Sequence, residues 1–313
     1  MNDKRHHKND KHMKKNTSEG LISGTGVALV TPFTAKGNID FRALDLLIED
    51  IIINKVDFIV ALGTTSEAAT LTEGEKQKLM AFVIKSVNGR VPVVMGIGGN
   101  NTQSVINTIR ETDFDGITAI LSVAPYYNKP NQKGIYEHFS AIAKACPVDI
   151  ILYNVPGRTS SNIEPATILE LAGNHWNIVA VKEASGNLQQ VMGIIQNRPE
   201  GFMVLSGDDA LTFPLMALGA DGVISVVANV YPAAFSGMVR YIQKEKYEEA
   251  RSIHYSLRPF INLLFADGNP AGVKAALSIN GMCKNVLRLP MVKVNPDVYK
   301  KIKQFLKSYE YPL

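Results

Sequence analysis

Cysteine is scarce in this chain of 313 residues: only Cys146 and Cys283 are present, far apart and in no Cys-x-x-Cys pair. That usage excludes a disulfide scaffold and fits a reducing cytosol. Long hydrophobic runs are missing too, none approaching the ~20 residues of a membrane span. The basic start is not followed by the ~7–15-residue apolar core of a secretory signal. A soluble cytoplasmic protein with no membrane partner is therefore expected. Neither Gly-x-x-x-x-Gly-Lys-Thr/Ser, His-Glu-x-x-His nor an EF-hand pattern occurs. The sequence thus indicates neither a nucleotide nor a catalytic metal.

Charge of one sign is equally thin outside the first 20 residues. The net charge is +4, and residues 1–20 carry Lys4, Arg5, Lys8, Lys11, Lys14 and Lys15 against Asp3, Asp10 and Glu19. The remainder is near neutral and holds no basic cluster that could form an electrostatic footprint for nucleic acid. His6, His7 and His12 lie in the same stretch without the spacing of a structural metal site. Residues 1–20 read as a disordered solubilising leader.

What is present is the composition of an ordinary globular enzyme, 46% hydrophobic and 20% charged, with a sizeable core. From Gly24 onward, short apolar runs alternate with amphipathic segments of helical length. Strands are expected at Val27–Thr31, Phe58–Leu62, Val91–Met95, Ile117–Val123, Ile150–Asn154, Ile178–Lys182, Phe202–Ser206 and Gly222–Val226. Between them, helices are expected at Phe41–Asn54, Thr72–Val87, Thr102–Thr112, Lys133–Ala145, Glu164–Leu171, Leu188–Gln196 and Ala210–Leu218. Strands that are apolar throughout, joined by helical crossovers, predict a parallel sheet covered on its outer face.

Eight such units match the size of a closed (β/α)8 TIM barrel. The rival, an open doubly wound sheet, usually shows a phosphate-binding turn after its first strand; Thr31-Pro-Phe-Thr-Ala-Lys-Gly37 lacks that spacing. We therefore expect an α/β barrel over residues 21–242. Helices at Tyr231–Gln243, Tyr247–Phe265, Ala271–Ile279 and Asp297–Lys307 follow. The first closes the barrel, and residues 243–313 form a helical region packed on it, with no Ser/Gly-rich linker between them.

In such a barrel the chemistry sits where the strands end, so polar residues that finish apolar runs come first. In Ile178-Val-Ala-Val-Lys182 alternation places Lys182 on the face of Ile178 and Ala180, pointing into the barrel mouth if the valines meet the helices. A lysine in that position loses hydration, which favours the neutral amine that attacks carbonyls and forms Schiff bases. The plain alternative makes Lys182 and Glu183 an exposed loop pair.

Tyr153 ends its own strand in the same place and could relay protons, although a strand-end aromatic is more often packing. Gly157-Arg158-Thr159 sets a guanidinium at the same mouth, suited to a carboxylate, or else to a surface salt bridge. Gly63-Thr64-Thr65-Ser66-Glu67 makes a tight turn whose N–H and O–H groups can hold a small anion. Thr72 and Glu75 then form a capping box.

Together, Gly63-Thr-Thr-Ser-Glu67, Pro125-Tyr-Tyr-Asn-Lys-Pro130, Tyr153-Asn-Val-Pro-Gly-Arg-Thr159 and Val181-Lys-Glu-Ala-Ser-Gly186 resemble, in order and spacing, the signatures of the dihydrodipicolinate synthase family. This family belongs to the pyruvate-dependent class I aldolases that include N-acetylneuraminate lyase. The resemblance runs from about Gly20 to the C-terminus and rests on the motifs jointly. It implies that Lys182 forms a Schiff base with pyruvate, whose enamine attacks aspartate semialdehyde on the route to diaminopimelate and lysine, with no cofactor.

By position it also implies a proton relay of Thr64, Tyr153 and, from a neighbouring subunit of a homodimer or homotetramer, Tyr127. Thr65 would hold the pyruvate carboxylate and Arg158 that of the semialdehyde, while Gly207 and Ile224 line the pocket. Ser66 departs from the family's usual glycine, and the turn is expected to shift if that position requires positive φ. In lysine-inhibited members an effector cleft lies at the dimer interface. Here its positions carry Glu73, Lys76 and Ser104 beside the matching Asn100 and Tyr126, which implies a weak response to lysine. Sialic-acid and keto-deoxy-sugar lyases of the superfamily share the lysine and tyrosine, and Arg158 argues against them. A non-catalytic homologue would be easier to hold if Lys182, Tyr153 or Thr64 were missing.

Overall fold

The computed structural model describes residues 22–309; the leader expected at 1–20 lies outside them. Eight parallel strands close into one barrel in sequence order. They are β1 (Gly24–Ala28), β2 (Phe58–Ala61), β3 (Val93–Gly96), β4 (Ala119–Val123), β5 (Asp149–Asn154), β6 (Ile178–Glu183), β7 (Met203–Ser206) and β8 (Gly222–Ser225). This is the expected TIM barrel, with helices on its outside and further helices after β8. Nearly every strand residue is buried, because side chains fill the barrel and helices cover its outer face.

The first strand begins three residues before its expected start. The cause is packing that an apolar pattern cannot register. A Cβ on Gly26 would lie 2.2 Å from the Phe58 ring, and one on Gly222 would lie 2.1 Å from the Gly24 carbonyl oxygen. Glycine is thus what lets β1 approach β2 and β8 at the closure, where Gly24 pairs with Gly222.

The first two helices are built as their sequence suggests, whereas the expected helix Ala210–Leu218 is a 3-10 turn, Asp209–Leu211, followed by the helix Thr212–Ala217. Phe41–Ile53 buries Leu44, Leu47, Ile48 and Ile51 on one stripe and is capped by the Asp40 carboxylate, which accepts from the Ala43 N–H. Glu73–Val87 opens with the expected capping box of Thr72 and Glu75. Glu75 also pairs with Arg288, whose hydrogen bonds hold the carboxyl's pKa down at about 2.

Beyond the barrel, Tyr247–Phe265, Ala271–Ile279 and Pro296–Ser308 pack back onto it. Tyr231 meets Phe260 at a ring-centroid distance of 5.1 Å, and Phe260 stacks on Phe305 at 5.0 Å, so the last helix is held by aromatic contacts. Cys146 and Cys283 are both free thiols. Among the described residues no helix is long and apolar enough to cross a membrane. No group of three or more His, Cys, Asp or Glu among them is placed to hold a metal ion.

Candidate active site

Strands β5 and β6 pair so that Tyr153 stands opposite Lys182. Both are buried, and the Lys182 Nζ lies 4.4 Å from the centroid of the Tyr153 ring. The exposed loop pair is ruled out: Lys182 and Glu183 are the last two residues of β6, 6% and 1% exposed. Alternation turns them to opposite sides. Lys182 faces the barrel mouth, whereas the Glu183 carboxylate accepts from the Ser185 N–H at 2.8 Å, the Gln190 Nε2 at 2.8 Å and the Asn154 Nδ2 at 3.2 Å. Asn162 joins the same amide network through Asn154 and Gln190. A buried carboxylate satisfied by two side-chain amides and a backbone N–H locks the strand end that carries the lysine.

Over Lys182 opens a cavity of about 630 Å³. Thr64, Thr65, Tyr153, Arg158, Lys182 and Gly207 all reach its wall, so six residues picked from the sequence are brought together. Arg158 sits at the rim, in the short helix Pro156–Thr159, exposed and with no carboxylate partner among the described residues. Gly207 is needed by contact rather than by φ: a Cβ there would lie 3.0 Å from the Lys182 Cε. Ile224 is buried in β8 one layer below the wall, where Val226 stands instead. Tyr127 does not line this cavity and is 88% exposed, at φ +76°.

The turn after β2 is a 3-10 helix, Thr64–Ser66, entered through Gly63 in extended backbone. Its left-handed residues are Leu62 at φ +58° and Glu67 at φ +53°. Ser66 is not among them, so serine is unstrained there. Its hydroxyl donates to the Leu29 carbonyl, and the Thr31 hydroxyl donates to the Ser66 carbonyl at 2.8 Å. The turn is pinned to the end of β1 instead of shifting.

Two residues that no sequence motif marks hold the turn from the far end of the chain. The Asn269 Nδ2 donates to the Thr65 Oγ1 at 2.9 Å. Lys274, fully buried, forms an ion pair with Glu67 and donates to the Val286 carbonyl at 3.0 Å. Their partners lie some 200 residues away, and no local motif marks them.

A family model described as the dihydrodipicolinate synthetase family matches residues 21–309. The chain belongs to this family. A 4-hydroxy-tetrahydrodipicolinate synthase of Parabacteroides distasonis is 50% identical over 287 residues, covering 92% of this chain and 97% of that protein. The crystal structure of dihydrodipicolinate synthase from Aquifex aeolicus superposes with a TM-score of 0.89 at 42% identity, covering 93% of this chain and 99% of that one. A structure described as the first monomeric dihydrodipicolinate synthase variant gives a TM-score of 0.90 at 36% identity, covering 93% and 97%. Among dihydrodipicolinate synthetase motifs, Val181-Lys-Glu-Ala-Ser-Gly186 thus occupies the end of β6 and Tyr153-Asn-Val-Pro-Gly-Arg-Thr159 the end of β5.

Proposed function

We infer that the chain condenses pyruvate with L-aspartate 4-semialdehyde to 4-hydroxy-tetrahydrodipicolinate through a Schiff base on Lys182. The observation that carries this is a buried lysine amine at the C-terminal end of β6, beside a tyrosine, under a cavity rimmed by an arginine that has no carboxylate partner among the described residues. The Lys182 Nζ adds to the pyruvate ketone and water leaves, giving an imine; loss of a methyl proton gives the enamine. The enamine carbon attacks the aldehyde of the semialdehyde, whose oxygen takes a proton. The amino group of the bound semialdehyde unit then displaces Lys182 from the imine carbon, closing the ring and freeing the enzyme. One water is released per turnover.

Each proton movement needs a group near the reacting atoms. Tyr153, Thr64 and Tyr127 of a second subunit serve as the relay. Thr65 binds the pyruvate carboxylate, Arg158 binds that of the semialdehyde by a two-pronged contact, and Gly207 shapes the wall beside the lysine, with Ile224 supporting it from the layer below. The reaction needs no metal or organic cofactor, since the lysine nitrogen is the electron sink. It belongs in the cytoplasm, and the working unit is at least a dimer.

A coupled assay tests the reading. Pyruvate with aspartate semialdehyde should turn over, while N-acetylneuraminate and keto-deoxygluconate should not. Turnover only with either sugar acid would overturn it.

A further inference from the structure

Thr65 is 3% exposed, and its hydroxyl carries one hydrogen. The Asn269 Nδ2 donates to that oxygen at 2.9 Å, and among the described residues no acceptor receives the hydroxyl's own hydrogen. Both residues line the cavity above Lys182. Asn269 is itself 5% exposed, and its Oδ1 has no partner among the described residues. Turning the amide round would leave a buried NH2 without an acceptor, the costlier orphan.

We propose that Asn269 is a positioning residue for keto-acid binding: by donating to the Thr65 Oγ1, it turns the hydroxyl's own hydrogen away from the amide and into the cavity, as a donor to a carboxylate. Without the amide hydrogen, the hydroxyl would be free to rotate between donor and acceptor arrangements, and part of its time would be lost to carboxylate binding.

The placement of Asn269 is over-determined. It precedes the helix Ala271–Ile279, whose Gly272 lies so close to the preceding long helix that a Cβ would stand 2.2 Å from the Leu264 carbonyl oxygen. Two residues further on, Lys274 is bound to Glu67. The segment 269–274 therefore touches the segment 65–67 at two points, and the Asn269 amide is held in register with Thr65 by an ion pair that is itself away from the cavity.

This inference rests on the function proposed above, and its test separates the two. Lys182 is trapped with borohydride over a range of pyruvate concentrations, and steady-state constants for both substrates are measured. Asn269→Asp has the same shape but takes the Thr65 hydrogen for itself and adds a negative charge. It should raise the half-saturating pyruvate concentration about 10- to 100-fold, with kcat at saturation and the KM for the semialdehyde little changed. Asn269→Ala, which guards against misfolding of the aspartate variant, should raise it about 2- to 10-fold. In a Thr65→Val background Asn269→Ala should add nothing, because its effect runs through the hydroxyl.

An equal effect of Asn269→Ala with and without the Thr65 hydroxyl would overturn the inference. So would a rise confined to the semialdehyde KM. If the parent protein forms the adduct and the variants bind pyruvate as well as it does, only the positioning role fails. If the parent forms no adduct on Lys182, the proposed function fails with it.

Discussion

At Gly207 a single methyl group decides how much room the lysine has. The added Cβ would stand 2.7 Å from the Ala184 Cβ, closer than such atoms approach in folded proteins, and 3.1 Å from the Lys182 Cγ, a tight contact. Lys182 is the flexible neighbour and would move. Gly207→Ala should therefore leave the barrel folded, at a strain of about 1–3 kcal/mol, and slow formation of the pyruvate adduct by an order of magnitude or more. Stopped-flow trapping beside thermal unfolding separates the two effects; unchanged trapping would mean that the amine does not need this position.

At the scale of elements, the turn Thr64–Ser66 is held between β1 and the helix Ala271–Ile279. Burial lowers the pKa of Lys274, and Glu67 opposes that shift. Removing one partner leaves a buried charge alone, so Lys274→Met should cost about 3–5 kcal/mol of stability. Adding Glu67→Gln should restore most of it, because the glutamine can still accept the Arg288 N–H that Glu67 accepts at 3.0 Å. Urea unfolding of the parent and the two variants checks this, and a double variant no better than Lys274→Met would contradict it.

The same elements show what a sequence can and cannot disclose. Strand ends are legible because polar residues there interrupt apolar runs, which marks Lys182 and Tyr153, and Arg158 follows from its place on the loop just behind Tyr153. The turn at Thr64–Ser66 was legible as a tight turn, though not which of its residues are left-handed. Asn269, Lys274 and the amide cage around Glu183 were not legible, since they depend on contacts between distant segments. The start of β1 was missed because Gly24 and Gly26 carry the strand through close approach rather than through apolar side chains.

For the whole molecule, the loop bearing Tyr127 is the feature that the single chain leaves unexplained: an aromatic 88% exposed in a left-handed conformation costs both solvation and strain. If it completes a second subunit's site, mixing inactive Tyr127→Phe and Lys182→Ala chains should recover part of the activity, because one site of a mixed dimer has both residues intact. No recovery after proven subunit exchange would refute that. A second cavity, of about 850 Å³, is lined by Glu73, Lys76, Asn100, Ser104 and Tyr126. There the Lys76 Nζ donates to the Glu73 Oε1 at 2.7 Å, so Glu73 already has a cation and Lys76 would repel another. Initial rates should accordingly fall little with millimolar L-lysine, and strong cooperative inhibition would show the cleft to be functional.

The account turns on one bond, between the Lys182 nitrogen and the keto carbon of pyruvate. Borohydride reduction in the presence of pyruvate, followed by intact and peptide mass spectrometry, reads that bond directly. A single adduct on Lys182, abolished in Lys182→Ala, is the predicted result; an unmodified Lys182, or the adduct on another lysine, would contradict the mechanism.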